Sequence, residues 1–272
     1  MNDNEPLVVD DFHATLYFDG PPHLSERALV QAWGHEGYGC KRGKLEGAFH
    51  GYRGETYVIV GAPKPIESRR VPAQFPAVLQ PEIDWEPTFC VNPQAGYDDL
   101  HRATHEASFE LRIRADRAHP AKAHNEIVAA LLGIHQVAPM CAVMLHYLDM
   151  IVGRADLDDF LSYANSNVAD RPRQFAPMLA FGTFVTQEGG TTTAWTTGLE
   201  FFGHPNLFVE DKCLEPSVAV LLVFELGHQV VCGTKYVAGE VAGLPAVGPR
   251  MEFAAAERNG KPVLQVVVAT KV

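Results

Sequence analysis

The most specific stretch of this sequence is Thr196-Thr197-Gly198-Leu199-Glu200-Phe201-Phe202-Gly203-His204-Pro205-Asn206-Leu207. It overlaps the end of a β-rich run, Thr191 to Leu199, and glycine and apolar residues dominate it. Glycine inside a strand pattern marks a bend or a close approach to other backbone. The stretch therefore predicts a strand that bends tightly, with Leu199 and Phe202 as packing anchors.

Two hairpins and one buried helix are predicted around this stretch. Gly189-Gly190 separates the β-rich runs 177–185 and 191–199, and Asn259-Gly260 separates the runs 251–255 and 263–268. Gly-Gly and Asn-Gly between such runs are typical of tight hairpin turns. Apolar residues recur at helical spacing from Pro216 to Val231, and Gly233 follows as a stop signal.

The first half of the chain carries a β-α-β pattern twice. The first copy comprises a strand Phe12–Phe18, a helix from Ser25 and a strand Glu55–Gly61. The second comprises a short helix from Asp98 to about His105, a strand Ala107–Ile113, a helix Ala121–Gly133, a strand Met140–Tyr147 and a helix beginning near Asp156. Alternating polarity favours the strands and 3.6-residue periodicity favours the helices.

These patterns predict an α+β fold with mixed or antiparallel sheets and helices packed on one face. Two ferredoxin-like β-α-β subdomains are an open alternative. Seven prolines lie between Ala62 and Gly96, which indicates an extended, packed connection. The predicted organisation is an N-terminal subdomain at 1–61, this connection at 62–96 and a main domain at 97–272.

Composition and charge indicate which classes of partner and which cellular location to expect. The formal net charge of -11 disfavours nucleic acid and anionic lipid as partners. It would accelerate association with a basic protein, although an acidic balance is also common in cytosolic proteins, where it serves solubility alone. The N-terminus has no secretory pattern and no apolar run reaches bilayer-spanning length. Five separated cysteines without a C-x-x-C pair indicate buried, reduced thiols. We expect a cytoplasmic protein that has no membrane span.

Metal and catalytic signatures are weak. His101 and His105 are spaced to share one face of a helix, but Arg102 stands where a zinc protease of that pattern carries its glutamate. No nucleophile elbow, phosphate loop or dinucleotide motif is present, and Cys141 lies in an apolar run. We therefore predict no catalytic residue, no cofactor and no metal, with His101 and His105 as the weak metal candidates.

The motif Thr197-Gly198-Leu199-x-x-Phe202-Gly203-x-Pro205 resembles the hallmark of a bacterial family, domain of unknown function 4261, of the form T-x-G-L-x-x-F-G-x-P-E-L-E. The similarity extends from about His105 to the C-terminus. At the two acidic positions of that hallmark this chain has Asn206 and Phe208. Neither side chain can ionise, so catalytic chemistry at those positions is not expected here.

Two functions follow as hypotheses. The preferred one is a non-enzymatic, cytosolic binding protein of bacteria, of a kind that neutralises or accompanies a toxin or secreted effector. Its candidate binding residues are Thr197, Glu200, His204 and Asn206. The alternative is a small-molecule enzyme or metal-assisted hydrolase whose site is assembled by folding from His101, His105, Glu106, Glu200 and His204.

Overall fold

A computed structural model describes residues 7–32, 39–40, 49–53, 56–66, 93–115, 120–148, 150–166, 181–243 and 250–268. The described residues fall into two compact units, one formed by those before residue 180 and one by those after it. Helices and strands together make each unit, which confirms the α+β class. None of the helices in these ranges is long and apolar enough to cross a membrane.

Unit 1 holds eight strands and four helices among its described residues. The strands are β1 (Leu7–Phe18), β2 (Gly39–Cys40), β3 (Phe49–Arg53), β4 (Thr56–Val60), β5 (Lys64–Pro65), β6 (His105–Ala115), β7 (Ala142–Leu145) and β8 (Met150–Gly153). The helices are α1 (Glu26–Ala32), α2 (Pro93–Arg102), α3 (Pro120–Val137) and α4 (Arg154–Ser166). The strand order is β2-β3-β4-β6-β1-β7-β8, and β5 also pairs with β6.

The two predicted β-α-β patterns interleave in a single sheet. β6 lies antiparallel between β4 and β1, and β1 lies antiparallel between β6 and β7. Each pattern therefore leaves a gap that a strand of the other fills, which is the split β-α-β arrangement of ferredoxin-like folds. Residues on both sides of the proline-rich segment thus share one sheet, and the predicted boundaries at 61 and 97 cut across it.

The buried side chains of β1 and β6 explain this pairing. Leu16 and Leu111 are fully buried and Phe109 is 1% exposed, so each strand buries alternate residues against the core. A strand with an apolar face gains its stability from cross-strand neighbours and from the layer that covers it. Among the described residues, the strands that pair with β1 are β6 and β7, and both follow residue 104.

Unit 2 is a six-stranded sheet accompanied by one long helix. Its elements are β9 (Gly182–Glu188), β10 (Thr191–Thr197), β11 (Asn206–Asp211), α5 (Pro216–Val231), β12 (Val241–Gly243), β13 (Arg250–Arg258) and β14 (Lys261–Val268). The order is β12-β13-β14-β11-β10-β9, and β11 pairs with β14 in parallel. α5 packs against β9, β10 and β11.

The predicted elements of unit 2 are largely confirmed. α5 has the predicted bounds, and the predicted hairpin turns join β9 to β10 and β13 to β14. Asn259 and Gly260 have φ of 53° and 75°, as a two-residue hairpin turn of this type requires. β11 was missed, because its six residues follow directly on the bend and show only a short alternation.

In unit 1 the predicted end of the helix at about His105 is wrong. α2 ends at Arg102, and His105 is the first residue of β6, paired with Phe18. Helix α4 begins at Arg154, two residues before the predicted start, where the Asp99 carboxylate accepts the Arg154 backbone N–H at 2.9 Å. Residues 67–92, which hold most of the predicted connection, lie outside the described residues.

The interleaved sheet predicts that residues 1–61 do not fold alone. A peptide of that range contains β1 but neither β6 nor β7, so the buried face of β1 has no neighbouring strand. We expect poor amide dispersion in its NMR spectrum and no cooperative thermal unfolding. A fragment of residues 1–179 keeps both neighbours and is the matched control. Cooperative unfolding of the 1–61 peptide would contradict the interleaved arrangement.

Candidate functional site

The predicted bend joins β10 to β11 and is confirmed. After Thr197 the chain forms a 3-10 turn over Leu199–Phe202, flanked by Gly198 with φ of 93° and Gly203 with φ of 72°. Both glycines have left-handed backbone, which residues with a Cβ adopt only with strain. Leu199 is fully buried and Phe202 is 7% exposed, so both predicted anchors do pack into the interior.

Polar side chains of this turn accept backbone N–H groups of the same turn. The Leu199 N–H donates to Asn206 Oδ1 at 3.0 Å, and the Leu207 N–H donates to Thr196 Oγ1 at 2.8 Å. Glu200 Oε2 accepts the Gly198 N–H at 3.1 Å. A buried N–H without an acceptor costs about 1–3 kcal/mol, so these side chains stabilise a backbone that has left the sheet.

His204 is buried, and both of its ring nitrogens are hydrogen-bonded. Nδ1 lies 2.6 Å from the Pro205 carbonyl oxygen, and Nε2 accepts the Tyr236 backbone N–H at 3.2 Å. A carbonyl can only accept, so Nδ1 carries the proton and the ring is neutral. Burial lowers the pKa of His204, which agrees with a neutral imidazole. In this state neither nitrogen is available to a metal or a substrate proton.

Three of the four predicted binding residues therefore have an internal role. Asn206, Glu200 and His204 hold the turn together through the hydrogen bonds given above. The Thr197 side chain lies against β9, where a Cβ on Gly182 would come within 2.7 Å of Thr197 Oγ1. The structure thus brings the four residues to one turn, where Glu200 is exposed, Thr197 and Asn206 are partly buried and His204 is buried.

The two weak metal candidates do not share a helix face. His101 is in α2 and its ring meets Tyr97 edge-on at 4.8 Å, whereas Nδ1 of His105 in β6 lies 2.9 Å from Thr104 Oγ1. His101, His105 and Glu106 belong to unit 1, and Glu200 and His204 belong to unit 2. Within the described ranges no group of three His, Cys, Asp or Glu side chains is arranged to hold a metal ion.

A histidine–aspartate pair in unit 1 was not predicted. His135 is 2% exposed, and its Nε2 lies 2.9 Å from Asp158 Oδ1 in α4. Its Nδ1 accepts the Met140 backbone N–H at 3.0 Å. A catalytic imidazole needs one nitrogen free for the reacting group. His135 has none, so the pair ties the end of α3 to α4 and to the start of β7.

A second unpredicted cluster lies on the partly exposed face of the unit 2 sheet. Phe184, Trp195 and Phe208 are cross-strand neighbours on β9, β10 and β11, and the first two rings stack with centroids 5.6 Å apart. The Arg258 guanidinium carbon lies 4.3 Å from the Trp195 ring centroid and 4.7 Å from that of Phe208. We call these four residues the aromatic row.

The aromatic row could not be recognised from the spacing of its members along the chain. The β10–β11 register places Trp195 opposite Phe208, and Arg258 reaches both rings from β13. Stacking of arginine on aromatic rings is favourable by about 0.5–2 kcal/mol. Phe208, which stands where the hallmark that this motif resembles has its second acid, is thus part of an arginine–aromatic contact.

The described thiols differ in exposure from the prediction. Cys141 is buried, and burial raises the pKa of its thiol above the usual value. Cys213 and Cys232 are exposed, so the prediction of buried thiols is wrong for these two residues. Both follow the end of a secondary-structure element, β11 and α5, where the chain runs along the surface.

Comparison of the chain with protein-family models, curated proteins and solved structures found no match.

The acceptor role of Asn206 predicts a difference between two substitutions. Asn206→Ala removes Oδ1 and leaves the Leu199 N–H without its acceptor, so we expect the free energy of unfolding to fall by about 1–3 kcal/mol. Asn206→Asp keeps an oxygen at the same place and is expected to stay within about 1 kcal/mol of the unchanged chain. Urea denaturation measures both. Equal losses would show that the acceptor does not stabilise the turn.

Proposed function

We propose that this chain is a non-enzymatic binding protein of the bacterial cytoplasm that recognises a basic protein, such as a toxin or secreted effector. We also propose that it belongs to the family of domain of unknown function 4261, on the hallmark residues from Thr197 to Pro205. The formal net charge of -11 supports a basic partner, because opposite charge accelerates association.

The hydrogen bonding of His204 carries the non-enzymatic part of the proposal. A general base or metal ligand needs a free lone pair, and both nitrogens of His204 are engaged within the fold. His135 is engaged in the same way. The histidines best placed by burial for catalysis therefore serve the structure.

The aromatic row supports recognition of a protein. Trp195, Phe208 and Arg258 are each only partly buried, and tryptophan and arginine are the residue types most enriched at the energetic centres of interfaces. Stacking fixes the guanidinium over two rings, so little side-chain freedom is lost when a partner binds. Thr193 lies two residues from Trp195 on the same face of β10.

Affinity capture tests this proposal. The full chain is immobilised and incubated with a lysate of the organism that encodes it, and captured proteins are quantified by mass spectrometry. We expect one basic protein in stoichiometric amount, with recovery that falls as the salt concentration rises. Thr193→Arg places a bulky cation beside the aromatic row and is expected to reduce recovery at least about tenfold, since several kcal/mol can be lost at an interface centre.

Ser162→Arg is the matched control, because Ser162 is an exposed hydroxyl residue on α4 in unit 1. This variant carries the same added charge and should capture the partner as the unchanged chain does. Absence of any stoichiometric partner contradicts the binding function. Equal loss or equal recovery with the two variants contradicts the assignment of the aromatic row as the contact surface.

A further inference from the structure

The loop after α5 is bonded through His204 to the turn between β10 and β11. We call this turn, residues 198–205, the hallmark turn. We define the Tyr236 loop as residues 233–240, which lead from α5 towards β12. Its Tyr236 N–H donates to His204 Nε2 at 3.2 Å, and the two rings meet edge-on with centroids 6.1 Å apart. The tip of the loop carries Val237, which is 62% exposed.

The remaining contacts of the loop join it to α5 and β13 rather than to the hallmark turn. The Gly239 N–H donates to the Phe253 carbonyl oxygen at 2.7 Å, and the Phe253 N–H donates to the Glu240 carbonyl oxygen at 3.0 Å. The Tyr236 ring stacks on Phe253 at 4.5 Å, and its hydroxyl donates to Gln229 Oε1 at 2.5 Å. These contacts hold the side chain, whereas the backbone N–H of Tyr236 has His204 Nε2 as its acceptor. The connection is therefore sensitive to the protonation state of one nitrogen.

The charged groups around His204 do not stabilise an imidazolium. In the hallmark turn, Glu200 accepts the Gly198 N–H, and in the loop Glu240 accepts the Val237 N–H. Tyr236 is a neutral phenol whose pKa is raised by burial and by Glu240. Gln229 of α5 and Phe253 of β13 are uncharged. Among the described residues no carboxylate forms an ion pair with His204, and Lys235 is the nearest cation along the loop.

We infer that His204 is an acid-sensitive latch, and that its protonation releases the Tyr236 loop from the hallmark turn. A proton on Nε2 turns the acceptor into a donor that faces the donor N–H of Tyr236. Both groups cannot be satisfied in the closed geometry, so the Tyr236 N–H separates from His204 and the imidazolium gains water. The backbone hydrogen bonds to Phe253 keep residues 239 and 240 on β13. This property goes beyond the proposed binding function and does not depend on it.

The direction of the pH effect follows from the neutral state of the closed latch. Burial lowers the pKa of His204 below its ordinary value of 6.5, so the open latch binds the proton more tightly. The latch is therefore closed above that ordinary value. Its opening constant rises as the pH falls below 6.5 and levels off once the pH is below the lowered pKa of the closed form. Between about pH 7.5 and about pH 5 the opening constant rises by up to about 30-fold, because only the open form titrates normally.

The His135 pair supplies an internal comparison. His135 also accepts a backbone N–H, that of Met140, but its other nitrogen faces the Asp158 carboxylate. A protonated His135 gains a charged partner, and Asp158 accordingly opposes the effect of burial on the pKa of His135. His204 faces only the Pro205 carbonyl on that side, so its amide partner is expected to respond more strongly to acid.

Amide hydrogen exchange of the full chain, followed by NMR, tests the latch. The exchange rate of the Tyr236 N–H is divided by its intrinsic rate at each pH, which gives the opening constant. We expect this constant to rise at least about fivefold from about pH 7.5 to about pH 5, and to level off only below the midpoint of the ¹⁵N titration of His204. The Leu207 N–H, which donates to the hydroxyl of Thr196, is the reference that should not change.

The variant His204→Gln offers an amide oxygen that accepts an N–H and does not titrate, so its Tyr236 amide should lose the pH dependence. If this variant does not fold, two measurements on the unchanged chain still test the latch. They are the pH dependence of the Tyr236 opening constant and the ¹⁵N titration of His204. A Tyr236 opening constant that changes less than about twofold would overturn the latch. So would an equal acid response in His204→Gln, or a Tyr236 opening constant that levels off at a pH above the midpoint of the His204 titration.

Discussion

Every buried backbone N–H group needs a hydrogen-bond acceptor. This requirement governs residues 196–207, the most specific stretch of the sequence. Where the chain leaves β10 and enters β11, Thr196, Glu200 and Asn206 supply side-chain oxygens as acceptors for backbone N–H groups. Gly198 and Gly203 allow the left-handed turns that bring these oxygens into position. His204 then extends the same principle to the loop beyond α5.

The predictable parts of the fold are those whose signals are local. The α5 helix and the Asn259-Gly260 hairpin follow from periodicity and turn chemistry within a few residues. The interleaving of β1 with β6 depends on contacts between residues about a hundred positions apart, such as Leu16 with Ala107. The sequence indicates each β-α-β pattern. However, the alternation of apolar and polar residues along the chain is the same whether the two patterns form separate sheets or share one.

The bend between β10 and β11 could be predicted from the sequence, whereas the hydrogen bonds of its polar residues could not. Asn206 and His204 are typical binding residues by type, and only the fold reveals that their polar atoms face Leu199 and Tyr236. The hallmark that this motif resembles has an acid where this chain has Asn206. An oxygen that accepts a backbone N–H can belong to an amide or a carboxylate, so an acid at that position is not by itself a sign of catalysis.

The position of β14 affects how unit 2 forms during synthesis. This strand comes after all the other described elements, yet it lies in the middle of the sheet, between β13 and β11. The apolar side chains of β9, β10 and α5 emerge from the ribosome before the strand that completes their sheet. Until β14 arrives, one long edge of β11 is unpaired, and the nascent chain exposes an edge on which foreign strands can add.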